Sequence, residues 1–130
     1  MNLVANDVSN VEVPVDLAPI YKFYWSAETQ RLVKVNIFVG RGSVYFEKEY
    51  LFYPKGDSAF IYEKATSSND NKILEERRYY FDNNKLLRYI EGKDTIDKGF
   101  SSKIIESSKE KIKTAELLKD IFEKVWLISK

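Results

Sequence analysis

Four carboxylates are the first residues in this chain with the chemistry for catalysis: Glu47 and Glu49, with Glu75 and Glu76 about one repeat later. Glycoside hydrolysis needs only two acids, one protonating the leaving oxygen and one acting as base or nucleophile. No accompanying motif supports that chemistry, and repeat-related positions on exposed strands argue for repetition rather than a unique site. A carboxylate-dependent hydrolase is therefore a minor, third reading. Other catalytic chemistries lose their essential residue outright. The 130 residues include no His and no Cys. That excludes imidazole or thiolate zinc sites, Ser-His-Asp and Cys-His nucleophiles, and disulfide exchange. The expectation is a protein that is not an enzyme, with no metal site and no cofactor.

Arg77-Arg78 beside Tyr79-Tyr80 has the residue types to neutralise and stack on a single-stranded nucleic acid. The whole-chain balance argues against it: 21 Lys+Arg face 20 Asp+Glu, a formal net charge of +1. Such a chain has no global field to draw it onto nucleic acid or an anionic membrane. No run approaches the roughly 18 apolar residues of a membrane span. The start, Met1 to Asp7, lacks a basic region followed by an apolar core. A soluble protein is expected, either cytoplasmic or exported with a leader removed.

The elements that must position these residues follow from a repeat. Tyr-x-Phe occurs three times, at Tyr21/Phe23, Tyr50/Phe52 and Tyr79/Phe81, and 50 − 21 and 79 − 50 are both 29. A constant period in this range marks a stacked supersecondary unit. Six residues before each Tyr stands a β-branched residue (Val15, Val44, Ile73), and eleven after it a branched aliphatic one (Leu32, Ile61, Ile90). Apolar residues hold the odd positions Val13, Val15, Leu17, Tyr21, Phe23 and Trp25, and Leu32 to Val39 sets Val33, Val35, Ile37 and Val39 against Lys34 and Asn36, which is the period-two pattern of half-buried strands. Val44 to Tyr53, Ala59 to Ala65, Ile73 to Phe81 and Lys85 to Glu91 read as the strands that complete the other two hairpins. Polar, Gly- and Asn-bearing turns separate them. Pro14 and Pro19 remove ladder donors, so the first strand should pair fully only after Pro19.

Residues 1–12 read as a loose arm able to add an edge strand, 93–100 as a linker, and 101–128 as one amphipathic helix capped by Ser101 or Ser102. Ile104, Ile105, Ser108, Ile112, Ala115, Leu118, Phe122, Val125 and Trp126 recur at helical spacing, with no Gly or Pro from Lys103 to Leu127. The expected fold is a single α+β domain: three tandem β-hairpins in one curved, six-stranded antiparallel meander, with the C-terminal helix on its Tyr-x-Phe face. A closed barrel with an appended helix is the alternative.

One helix covers one side only. The opposite face is expected to carry Tyr24, Lys34, Glu47, Glu49, Tyr62, Arg78, Tyr80 and Arg88, with cross-strand ion pairs such as Glu49 with Arg78. Tyr and Arg are enriched at interface centres, so the leading expectation is a non-enzymatic interaction module holding a protein partner on this face. The alternative from another class is a carrier with an apolar pocket between helix and sheet. An uncovered sheet edge offers a route to a homo-oligomer.

Tyr79-Tyr80-Phe81-Asp82-Asn83-Asn84-Lys85-Leu86, and Tyr50 to Asp57 more loosely, resemble the strand-turn-strand unit of MORN-variant repeat proteins. That unit places an aromatic pair before an Asn-Gly-Lys-Leu turn. Asn84 stands where the family has Gly, and the period here is longer. The resemblance implies an interaction scaffold, of the kind found in toxin-neutralising proteins, and brings no catalytic residue.

Overall fold

The computed structural model of the chain describes residues 8–9 and 19–129. Its elements run β1 Val8–Ser9, β2 Ile20–Ser26, β3 Leu32–Arg41, β4 Val44–Phe52, β5 Ser58–Ser67, β6 Ile73–Asp82, β7 Lys85–Glu91, β8 Asp94–Ile96 and α1 Ser102–Ser129. Each strand pairs antiparallel with the next, so spatial order is chain order. The fold is the α+β meander with a C-terminal helix packed against it, and its three expected hairpins are β2–β3, β4–β5 and β6–β7. β1 does not pair with β8, so the sheet stays open and no barrel closes among the described residues.

Two short strands extend the expected six. Val8 and Ser9, within the arm, pair with Ser26 and Trp25 at one edge; the rest of the arm and the strand start from Val13 lie outside the described residues. At the other edge, part of the stretch expected as linker folds back as β8. Gly92 takes a φ of +59°, which permits a two-residue reversal and brings Ile96 opposite Tyr89. The helix begins as expected, with the Ser101 hydroxyl oxygen accepting the Ile104 N–H at 3.2 Å.

Register places Phe23, Val35, Tyr50, Ile61, Tyr79, Tyr89 and Ile96 in one row across the sheet. All but Ile96 are buried, and this row is the spine of the core. Tyr79 is the structural counterpart of Tyr50, 29 residues on. Phe23, rather than Tyr21, is the counterpart of Tyr50, and 50 − 23 is 27. The Tyr-x-Phe period therefore spans hairpins two and three, while the first hairpin sits one side-chain step out of phase. Trp25 provides what the shift removes: fully buried, it packs with Phe122 of α1 at a ring separation of 5.8 Å. Ala115, Leu118 and Phe122 complete the core from the helix side.

Four bulges punctuate the meander, each just after a turn. Val33, Ala59, Leu74 and Leu87 are the surplus residues, since Trp25 pairs with Leu32 while Tyr24 pairs with Lys34, and the same offset recurs at the other three. Bulges add local twist and leave one residue outside the ladder. Leu74 and Leu87 are accordingly half-exposed.

Candidate functional site

The uncovered face of the sheet assembles the residues expected there. Tyr24, Lys34, Leu51, Phe60, Tyr80 and Arg88 form one row; Lys22, Asn36, Glu49, Tyr62, Arg78 and Ile90 form the next; Ile20, Phe38, Glu47, Lys64 and Glu76 form a third. All eight side chains expected on this face share it, and no described element packs over it. The row from Tyr24 to Arg88 crosses five strand spacings, about 24 Å, so they are one surface and not one pocket.

Two clusters emerge. In the first, Phe60 stacks with Tyr62 at 6.4 Å and meets Tyr80 in a tilted contact at 4.9 Å between ring centroids. The Arg78 guanidinium lies 4.7 Å from the Tyr62 ring centroid and 3.1 Å from the Glu76 carboxylate. The Tyr62 hydroxyl donates to Glu76 at 2.5 Å. These bonds hold the Glu76 carboxyl below the usual carboxylate range, while burial and then the Glu76 bond push the Tyr62 hydroxyl up to about 12. In the second cluster, Lys34 lies 4.5 Å over the Tyr24 ring and 3.7 Å from Glu49. Glu49 thus pairs with Lys34 and Arg78 with Glu76, not with each other as expected, because Tyr62 stands opposite both and separates them. Glu47 pairs with Lys64 at 3.5 Å. Arg88 reaches back to Asp97 at 2.5 Å, within the chain just after β8. Phe60 was missed, although it sits two residues before Tyr62 in an alternating strand.

Adjacent strand residues face opposite ways, which divides the motifs read along the chain. Arg77 and Tyr79 point to the helix side, Arg78 and Tyr80 away from it. Glu75 likewise stands on the helix side, opposite to Glu47, Glu49 and Glu76.

The helix side holds a second site that the sequence did not disclose. Next to the core spine runs the row Tyr21, Ile37, Lys48, Glu63, Arg77, Glu91, Asp94: apolar at one end, alternating in charge from Lys48 to Glu91, and closed by a second acid, Asp94. Glu63, only 8 % exposed, is the hub. Lys111 of α1 meets it at 2.7 Å, Lys48 at 3.7 Å and Arg77 at 4.0 Å. Arg77 also pairs with Glu75 at 3.3 Å and Glu91 at 3.4 Å. The Tyr89 hydroxyl donates to Glu91 at 2.5 Å, and that bond holds the Glu91 carboxyl below its usual range. The hydroxyls of Tyr79 and Ser107 bond at 2.8 Å across the helix–sheet junction. Between this row and the first turns of α1 lies a cavity of about 400 Å³, bordered by Glu63, Arg77 and Glu91 below and Lys103, Ser107 and Lys111 above.

No family model matches the chain, and comparison with characterised proteins and with solved structures finds no match. The likeness to MORN-variant units therefore rests on the hairpin alone. At that turn Asn83 and Asn84 take φ values of +50° and +62°, so Asn84 adopts the left-handed backbone that Gly would supply. Among the described residues no helix is long and apolar enough to cross a membrane.

Proposed function

We propose that the protein is a non-enzymatic interaction module whose uncovered sheet face docks a protein partner, centred on Phe60, Tyr62, Tyr80 and Arg78. One observation carries this reading: the stacked aromatic–arginine cluster lies on the sheet face that the helix leaves bare. Preassembled aromatic and Arg side chains lose little conformational freedom on binding, which is what interface centres use. The electrostatics favour a protein over a polyanion. Glu47, Glu49 and Glu76 are each matched by a cation of the same face, whereas a nucleic-acid surface needs cations left free for phosphates.

The test is affinity capture with three baits: wild type, a Tyr80→Ala/Arg88→Ala double variant, and Lys103→Ala on the opposite face. A protein held by wild type and Lys103→Ala but lost by the double variant supports the reading. The affinity of the identified partner should then fall about 30-fold or more with Tyr80→Ala, the size of a hot-spot residue. Capture indifferent to the double variant, or no capture at all, counts against it.

A further inference from the structure

We propose that the cavity between the sheet and the first turns of α1 binds a small oxyanion, the carboxylate or phosphate group of a low-molecular-weight ligand. This site is separate from the docking face, on the other side of the sheet, and stands or falls independently of it. Its volume of about 400 Å³ falls in the range of small-molecule pockets, roughly 300–1,000 Å³. Its lining decides the class of ligand. Apolar molecules are disfavoured, because entering would strip water from five charged side chains without replacing it.

The balance of committed and uncommitted groups selects the sign. Both carboxylates at the cavity are already engaged: Glu63 by Lys111, Lys48 and Arg77, and Glu91 by the Tyr89 hydroxyl and Arg77. A cationic ligand would have to displace an arginine or lysine already in place. The donors are less committed. Lys103 makes no ion pair within 4.0 Å among the described residues, although its charge is felt at Glu91. Lys111 has three ammonium protons and one close carboxylate, at 2.7 Å. Tyr79 and Ser107 share one hydrogen bond, which consumes one of their two hydroxyl protons and leaves the other to donate. The Ser101 oxygen accepts from Ile104 N–H, so its own proton is likewise uncommitted by that bond. An oxyanion offers acceptors to all of these and neutralises the one positive charge by which Arg77, Lys103 and Lys111 exceed Glu63 and Glu91.

Two probes test this: sodium phosphate and sodium acetate, each titrated at ionic strength held constant with chloride and followed by amide NMR of the full chain. The expected result is saturable shifts at Tyr89, Glu91, Lys103, Ser107 and Lys111, with a dissociation constant on the order of 1–10 mM for so small a probe. Saturation by phosphate alone assigns a phosphate group, by acetate alone a carboxylate, and by both a general oxyanion site. Lys103→Glu should abolish the shifts and Lys103→Ala weaken binding about fivefold; Lys103 is exposed, so neither variant threatens the fold. Ser107→Ala, which keeps the helix, should weaken binding as well. The proposal is overturned if neither anion saturates, if shifts appear at Lys103 without Tyr89 and Glu91, or if they persist unchanged in Lys103→Glu.

Discussion

Two neighbouring rows on the same face of the same sheet do opposite things. The row from Phe23 to Ile96 is aromatic and aliphatic and packs under the helix, against Ala115, Leu118 and Phe122, with the Tyr79 and Tyr89 hydroxyls bonded out of it, to Ser107 and Glu91. The row from Tyr21 to Asp94, one side-chain step away, becomes a charge ladder that meets Lys111 and leaves a cavity under the helix start. The helix closes the core along its length, with Ile104 and Ile112 as well as Ala115, Leu118 and Phe122, and its first turns also roof the polar cavity through Lys103, Ser107 and Lys111. The largest buried ring of this element, at Phe122, and its charged contacts, at Lys111, can thus be perturbed separately.

The sharpest way to break this division is to attack the sealed end. Phe122→Ala removes a ring that packs against Phe23 and Trp25 at 6.2 and 5.8 Å. It should cost about 3–5 kcal/mol, read by denaturant unfolding. A loss below about 1 kcal/mol would mean that the helix is not part of the core. At the polar end, Glu63→Gln leaves Lys111, Lys48 and Arg77 around a neutral amide and should cost about 2 kcal/mol. Joint replacement by Glu63→Leu and Lys111→Met should recover much of that loss; if it does not, the ladder holds the sheet itself together and the division fails.

Acid acts on both faces of the sheet, through Glu76 on the bare one and Glu91 on the helix side. The Glu76 and Glu91 carboxyls have folded pKa values below the ordinary 4.5, so the unfolded chain takes up protons first as pH falls. Their contribution to stability is complete above the ordinary value and is lost as pH drops through the lowered folded value. The midpoint of thermal unfolding should therefore decline on acidification below about pH 5, with a shallower decline in Glu76→Gln/Glu91→Gln. Equal slopes would place the acid sensitivity elsewhere. Smallest of all is Arg88→Ala on the bare face, which breaks an exposed pair with Asp97 and should leave the unfolding midpoint essentially unchanged. A large loss there would show that the bare face is structural.

What the sequence disclosed follows from how many residues shared each signal. The strands of the three hairpins and the helix were legible because several residues carry each signal: period-two alternation in the first hairpin, the Tyr-x-Phe repeat and polar turns in the other two, and a long run without Gly or Pro in the helix. The membership of the bare face was legible for the same reason, since alternation fixes which of Tyr62, Arg78 and Tyr80 point together. The charge ladder was not. Lys48, Glu63, Arg77 and Glu91 occupy inward positions of otherwise readable strands, and Glu63 is tolerable there because Lys48 and Arg77 flank it and Lys111 of the helix meets it most closely. The first hairpin's phase was hidden too, because Tyr21/Phe23 matches the repeat while Phe23/Trp25 fills the corresponding places. Ion-pair partners within the bare face needed the register, which bulges alter without leaving a mark in composition.

Those bulges also tell where the chain can change length. Leu86 and Arg88 flank the surplus Leu87, yet Leu86 faces Phe81 on the core side and Arg88 faces Tyr80 on the bare side. Without the surplus residue, the two would be neighbours on an uninterrupted strand and would still face opposite ways. A chain one residue shorter at Leu87, and equally at Val33, Ala59 or Leu74, keeps core and bare face intact, whereas a deletion inside a regularly paired stretch of strand puts the side chains beyond it on the wrong face of the sheet.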